Sequence, residues 1–377
     1  MFNSRIILIS NYIPDRQFSM LQYANMLCSN LVNQGIDVVT VHPEVILGRY
    51  LHNKWIGYID KIILFRLKLA DVMNRVAGNG KDALVHICDH SNSYYASMIQ
   101  RYPTVITCHD LMAIRAADGE FGNNCPSVSG KLLQEFIKSQ LEHSDYYICD
   151  SKSTQFDLYK KIPSSINSSK VIYPGFCNIY SVAHGSLSIR GISVQDTDYI
   201  LHVGSNAWYK NRSGVLEIFC RYMGHAANPN LKCVLVGPEL DAKQVEILRK
   251  HELSDSVYVI NDIKHEELLT LYTYAKALVF PSVYEGFGWP PLEAQSCDCP
   301  VICSVEGSLE EVVADSGLVA HWDDIDSHVH NLRLVINDAS IRQKLIEKGR
   351  KNIARFSNVQ MVDKLIEVYE MVSSIRK

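Results

Sequence analysis

No stretch of about 18 uncharged apolar residues occurs anywhere in the 377 residues, so a membrane-spanning helix is not expected. No C-x-x-C pair stands among the eleven cysteines, whose densest group is Cys297, Cys299 and Cys303. A zinc module and a disulfide framework both lack their usual spacing, and free buried thiols are the expectation. A Walker A sequence, a low-complexity tract and an internal repeat of about 20 to 50 residues are absent too. So is a strong charge of one sign: the formal net charge is -4, which argues against broad binding of nucleic acid. Met1-Phe2-Asn3-Ser4-Arg5 runs straight into strand-like Ile6-Ile7-Leu8-Ile9 without a signal-peptide pattern, and the expected location is cytoplasmic.

What is present is a chain with 47% apolar residues, long enough for about two hydrophobic cores. Its charge is unevenly spread. Residues 1–176 carry 17 Lys and Arg against 15 Asp and Glu, whereas the remainder carries 20 against 26. Much of the local excess lies in residues 54–75, where Lys54, Lys61, Arg66, Lys68 and Arg75 outnumber Asp60 and Asp71 amid apolar residues. Such a segment is compatible with peripheral contact at the inner face of an anionic membrane, and equally with a domain helix whose polar face is solvated.

Along the chain, short β-branched runs alternate with helical periodicity. Arg5–Ser10 and Ile36–Val41 read as strands around a helix from Met20 to about Asn33, capped by Ser19 and ended by Gly35. Strand, helix and strand in this order predict a parallel sheet with ligands at the carboxyl ends of its strands. Leu84–His90 and Val105–Asp110 each end in His and Asp, so both tips are expected at one cleft. A metal site from His86, Asp89 and His90 is an alternative, although H-x-x-D-H on a strand splits its ligands between two faces. Ser151 caps the helix after Tyr146–Asp150. A second parallel series begins at Tyr199–Val203, followed by Gly204-Ser205-Asn206 and by Lys210-Asn211-Arg212 at a helix start. Cations there oppose the helix dipole unless an anion lies between them.

The stretch that gives these elements a purpose is Val279 to Ala294. An apolar strand ends in Pro281-Ser282, a loop carries Glu285, Gly286, Phe287 and Gly288, and Pro290-Pro291 marks a helix start that puts Glu293 in the first turn. Glycines allow close backbone approach, and the helix N-terminus attracts an anion such as phosphate. Two carboxylates beside an anion need hydroxyl partners, and a sugar nucleotide offers both kinds of group. The plainer alternative is that Glu285 is a loop charge and Glu293 a dipole-matched helix residue.

Glu285 and Glu293 form an E-x7-E pattern within PSVYEGFGWPPLEA, which resembles the signature of retaining glycosyltransferases of family 4. The likeness continues through Pro300-Val301-Ile302, Gly307–Val312 and Glu266–Tyr272. It implies an α/β protein of GT-B architecture, two Rossmann-like domains with parallel sheets facing a central cleft. The implied division is an acceptor-binding domain at 1–176, a linker at 177–197, a nucleotide-sugar-binding domain at 198–357, and a helix at 358–377 crossing back to the first domain. Val171–Phe176 resembles the family's domain-closing Pro-Gly element.

The resemblance further implies a metal-independent hexosyltransferase without a cofactor. It would move sugar from a nucleoside-diphosphate sugar to a saccharide or lipid-linked acceptor in cell-envelope polysaccharide or glycolipid synthesis. In that reading Glu285, His109 and Lys210 are catalytic. Gly204, Lys210, Arg212, Gly286, Phe287, Gly288 and Glu293 bind the donor, and Ser19 and Asp110 lie on the acceptor side. The chain departs from the family pattern twice: Tyr209 stands where Arg-Lys-Asn has its arginine, with Arg212 a candidate replacement, and Gln17–Met20 replaces a glycine-rich acceptor loop. The rival from another class is a catalytically silent partner subunit that binds a nucleotide or a second transferase.

Overall fold

The computed structural model describes residues 4–50, 54–77, 82–176, 188–224 and 228–375. The chain forms two compact units, one of Met1–Gly175 with Ser357–Lys377, the other of Phe176–Phe356.

The first unit contains β1 (Arg5–Ile9), α1 (Phe18–Asn33), β2 (Val38–Val41), α2 (Lys54–Tyr58), a π-helical segment (Ile59–Phe65) and α3 (Arg66–Ala77). It continues with β3 (Ala83–Ile87), β4 (Thr104–Cys108), α4 (Met112–Ala117), α5 (Val128–Leu141), β5 (Tyr146–Cys149), α6 (Lys152–Lys161) and β6 (Ser169–Val171). The second unit contains β7 (Ser188–Ile189), β8 (Ile192–Ser193), β9 (Tyr199–Val203), α7 (Arg212–Met223), β10 (Lys232–Val236), α8 (Ala242–Lys250) and β11 (Val257–Ile260). After these come α9 (His265–Tyr274), β12 (Ala277–Phe280), α10 (Trp289–Ser296), β13 (Val301–Ser304), α11 (Leu309–Val313), β14 (Gly317–Ala320), α12 (Ile325–Asn337) and α13 (Ala339–Ile353). The last helix, α14 (Asn358–Ile375), belongs to the first unit.

Each unit is a Rossmann-like layer structure on a six-stranded parallel sheet, ordered β2-β1-β3-β4-β5-β6 in the first and β11-β10-β9-β12-β13-β14 in the second. Alternate strand residues serve opposite faces, as the pleat requires. Ile7 and Ile9 of β1 pack with Leu69, Met73 and Ile137, whereas Ile6 and Leu8 pack with Leu27 and Leu31 of α1 and with Val362, Leu365 and Tyr369 of α14. Both faces are covered by helices, which is why these strands read as unbroken apolar runs. Pro174-Gly175 closes the first pass through this unit; a Cβ on Gly175 would overlap the backbone of Asn358 at the start of α14.

Three expected boundaries change. Helix α1 starts at Phe18, so exposed Ser19 lies in its first turn and caps nothing; Gln17 holds the cap position. Residues 188–197 are not linker. Hairpin β7–β8 places Ile189, Ile192 and Val194 in the second unit's core with Tyr199 and Leu201, while residues 177–187 lie outside the described residues. Residues 54–75 are not one regular α-helix, because a π-helical segment interrupts them. The cysteines behave as core residues: among the described residues all are free, and Cys28 and Cys125 alone are not buried.

Candidate functional site

In each sheet the strand order reverses once, between β9 and β12 in the second unit and between β1 and β3 in the first. Crevices at such reversals are where ligands bind in open α/β sheets. Every loop carrying an expected donor residue leaves β9 or β12.

After β9 the chain turns through Gly204, whose N–H bonds to the Val236 carbonyl at 3.0 Å. A short 3-10 turn, Trp208–Lys210, then delivers Lys210, and Asn211 takes left-handed φ to cap α7, its side chain accepting from Gly214 N and donating to the Pro281 carbonyl. That bond ties the β9 loop to the β12 loop. Lys210 Nζ donates to both carboxylate oxygens of Glu285, at 2.8 and 3.0 Å, and lies over the Phe280 ring. Their side chains are only 18% and 10% exposed, so water screens the pair poorly. The residues expected on phosphate and on sugar thus meet each other in the ligand-free chain.

Glu285 is fixed from behind. Ser308 donates through its backbone N–H to the Glu285 carbonyl at 3.0 Å, and through Oγ to the Phe287 carbonyl at 2.7 Å. Gly307, at φ +64°, lies so close to the Glu285 backbone that any Cβ would overlap it. Gly288 has φ +97° and leads into α10, whose Pro290 and Pro291 fit the first turn but supply no N–H. The two prolines thus remove two of the N–H groups with which a usual helix start attracts an anion.

Other expected donor residues are placed differently. Glu293 is the fifth residue of α10, just past the first turn, because the helix starts at Trp289, one residue earlier than expected. Tyr272 Oη donates to its Oε2 at 2.9 Å, and burial raises its pKa above the usual carboxylate range despite that bond. Phe287 turns its ring into the core against Trp289 and Phe356, leaving only its backbone for a ligand. Arg212 is 2% exposed, so it is no exposed replacement for the family arginine. Its Nη1 donates to Asn206 Oδ1 and the Pro238 carbonyl, joining the β9 and β10 loops, and burial lowers its pKa.

In the first unit the strand tips converge as expected, but the histidines do not reach outward. Asn11, after β1, donates to Asp89, after β3, at 2.6 Å, spanning the strand-order reversal. His109, after β4, engages Asp150, after β5, through Nδ1 at 2.5 Å and the Cys88 carbonyl through Nε2 at 2.8 Å. A carbonyl accepts only, so Nε2 carries hydrogen, and the carboxylate favours a second one on Nδ1. Burial works against that charge, but Asp150 and Asp89 overcome it and raise the His109 pKa to about 9. Burial also raises Asp150, yet the two-sided ring geometry favours the ionised pair. With both nitrogens engaged in the ligand-free chain, His109 ties the tips of β3, β4 and β5 together instead of facing outward.

Asp110 accepts from Met112 N at 2.9 Å, which spends one of its oxygens on the start of α4. His86 points to the opposite face, bonded to Tyr369 and Thr107, with burial lowering its pKa to about 3. It shares no site with Asp89 and His90, and among the described residues no group of three or more His, Cys, Asp or Glu is placed to hold a metal ion. The sequence reading passed over Ser308 and Asp150. Asp150 had a visible signal, since Cys149-Asp150 repeats the strand-tip pattern of Cys88-Asp89 and Cys108-His109-Asp110.

The family model described as Glycosyl transferases group 1 matches residues 189–352, the stretch that holds Lys210, Glu285, Glu293 and Ser308. That stretch is a glycosyl transferases group 1 domain. O-antigen chain mannosyltransferase B of Escherichia coli is 30% identical over 46% of this chain, and the chain spans less than half of that relative's length, 46%. Among solved structures, sucrose-phosphate synthase from Thermosynechococcus elongatus superposes with TM-score 0.76 at 19% identity, covering 99% of this chain and 100% of the other. HepE of Anabaena, solved with UDP and glucose, gives TM-score 0.73 at 14% identity, covering 97% and 99%. At these identities the structural likeness speaks to the fold, which is GT-B: two Rossmann-like α/β domains with parallel sheets.

Proposed function

We propose that the chain is a retaining family 4 glycosyltransferase that moves a sugar from a nucleoside-diphosphate sugar to a saccharide or lipid-linked saccharide acceptor. The observation that carries this reading is the bidentate Lys210–Glu285 pair at the β9–β12 reversal, with Glu293 on the helix leaving the same loop. The relative named above makes mannose the first sugar to test and cell-envelope polysaccharide the first product class.

In this mechanism the diphosphate takes Lys210 and the amides from Gly286 to Trp289, and Glu285, released, turns to the hydroxyls of the transferred sugar. Negative charge grows on the departing diphosphate as the glycosidic carbon becomes cationic, so a fixed ammonium and aimed N–H dipoles lower the barrier. Glu293 Oε1 accepts from the ribose while Tyr272 holds Oε2. The departing phosphate assists removal of the acceptor proton on the same face, and neither a metal nor a cofactor takes part. The acceptor side belongs to the first unit's strand tips, around Asn11, Asp89 and Asp110. His109 acts there by holding Asp150 and the Cys88 turn in place. The protein works in the cytoplasm, at the inner face of a membrane when its acceptor is lipid-linked.

Thermal shift of the purified chain against UDP, GDP, ADP, TDP and CMP, with and without Mg²⁺, tests the donor half, because a ligand of the native state alone raises apparent stability. One diphosphate stabilising the protein equally with and without Mg²⁺ is the expected result. A folded chain that binds none of them overturns the reading and favours the silent partner subunit.

A further inference from the structure

The helical segment 54–77 does not present the basic face that its composition suggests. Lys61 is buried and paired with Asp15, and Lys68 is engaged by Glu44. What faces water instead is an apolar row at four-residue spacing: Trp55, Ile59, Ile63 and Leu67, of which Trp55 is 62%, Ile63 52% and Leu67 76% exposed. In an α-helix, residues four apart drift steadily round the axis, because a turn holds about 3.6 residues. The wider π turn between Ile59 and Phe65 drifts the other way, so the row stays aligned over about 18 Å at the usual helical rise.

The π turn also accounts for two consecutive polar residues pointing inward. Asp60 is fully buried and accepts the N–H groups of Ile46, Leu47 and Gly48, along with the Tyr12 hydroxyl at 2.7 Å. Burial favours its neutral form, yet these bonds hold its pKa below the usual range. Asp60 thereby staples the 46–50 turn, which carries exposed Leu47 and Tyr50, against the helix. Tyr12 and Asp15, the outer ends of the two buried contacts, both lie in the loop after β1, which borders the Asn11–Asp89 tip.

We infer that this row is a docking surface for an anionic lipid bilayer, which it enters to headgroup depth. The charge around the row selects that occupant: exposed Arg49 and Arg75 and half-buried Arg66 stand against exposed Asp71, since Lys68 and Glu44 offset each other and Asp60 is sealed inside. A chain of formal net charge -4 thus gathers cations beside an apolar ridge bearing Trp55, the composition of an interfacial helix. Docking holds the β1 loop, and with it the Asn11–Asp89 tip, at the surface where a lipid-linked saccharide would be. The inference stands without the transferase reading, because it concerns binding to lipid alone.

Co-sedimentation of the intact chain with vesicles of phosphatidylglycerol and phosphatidylcholine, without nucleotide, tests it. The native chain sediments with mixed vesicles, several-fold less with pure phosphatidylcholine, and Trp55 emission shifts to the blue by comparison with Trp55→Phe. The Ile63→Asp, Leu67→Asp double variant, altered only at exposed positions, binds at least tenfold more weakly with an unchanged melting temperature. Absence of vesicle binding, or binding that the double variant leaves intact, overturns the inference. So does a native chain that self-associates without lipid and becomes monomeric in the double variant, which would assign the row to a second copy. Vesicle binding with no nucleotide binding leaves this inference standing and removes the transferase reading.

Discussion

Replacing Glu285 by Gln keeps the shape of the side chain and removes the charge that holds Lys210. In the ligand-free chain Lys210 Nζ gives two charge-assisted hydrogen bonds to Glu285 in poorly hydrated surroundings. A diphosphate must win that ammonium before it can use it. Hydrogen bonds to charged groups contribute about 1.5–3 kcal/mol and neutral ones about 0.5–1.5, so an amide surrenders Lys210 about 1 kcal/mol more readily. Loss of a negative charge beside the incoming phosphates acts in the same direction. Glu285→Gln should therefore bind the nucleoside diphosphate about fivefold more tightly in a calorimetric titration. Its transfer rate should nevertheless fall by about a hundredfold, the scale for removing one group that acts in the transition state. Lys210→Ala should do the reverse to affinity. If Glu285→Gln binds the diphosphate no better than the native chain, Lys210 is not the phosphate ligand and the competition argued here does not exist.

Glu293→Ala should weaken nucleotide binding by about 1–3 kcal/mol, read by the same titration, because ribose hydroxyls lose a buried acceptor. Tyr272→Phe removes a bond that favours the ionised Glu293 carboxylate, so binding should fade on acidification at a higher pH than in the native chain, which titrations across acidic pH would follow. The His109 pKa is raised to about 9 in the fold from about 6.5 in the unfolded chain, so its contribution is complete below about pH 6.5 and disappears as pH rises through about 9. That amounts to about 3 kcal/mol, and melting curves over this range should show a decline that Asp150→Asn flattens. Gly307→Ala adds a Cβ into the Glu285 backbone at positive φ and should cost about 2 kcal/mol or more in denaturant unfolding, with donor affinity falling as Glu285 shifts.

Strands, their parallel pairing and the Gly-Pro punctuation around α10 were legible because each is a local property: an apolar run, a period, a residue without an N–H. Glu285 and Glu293 could be placed on loop and helix for the same reason, with an error of one residue in the helix start. Side-chain direction was not legible. Nothing local in Lys210-Asn211-Arg212 says that the first cation meets Glu285 while the third turns under Asn206 and Pro238, since those partners lie up to 75 residues away. His109 shows the same gap more sharply: its motif is visible, but the Asp150 and Cys88 partners that occupy both nitrogens come from two other strands. The hairpin at 188–193 was missed because it is two residues per strand, too short for any period to declare itself.

Because α14 packs on β1 and β3, the first unit is written in two instalments, and a ribosome finishes the second unit before the first. Residues 176–356 form a contiguous unit, whereas Ile6, Leu8 and Leu84 must wait for Val362, Leu365 and Tyr369 to arrive. At synthesis rates of about 5–20 residues per second, that leaves one sheet face of the earlier unit only partly covered, by α1, for about ten seconds or more. The nascent chain therefore passes through a stage in which the second unit can already be folded and the first is still sticky. Chaperone dependence and sensitivity to slow codons should accordingly concentrate in the first unit, although it is the one translated first.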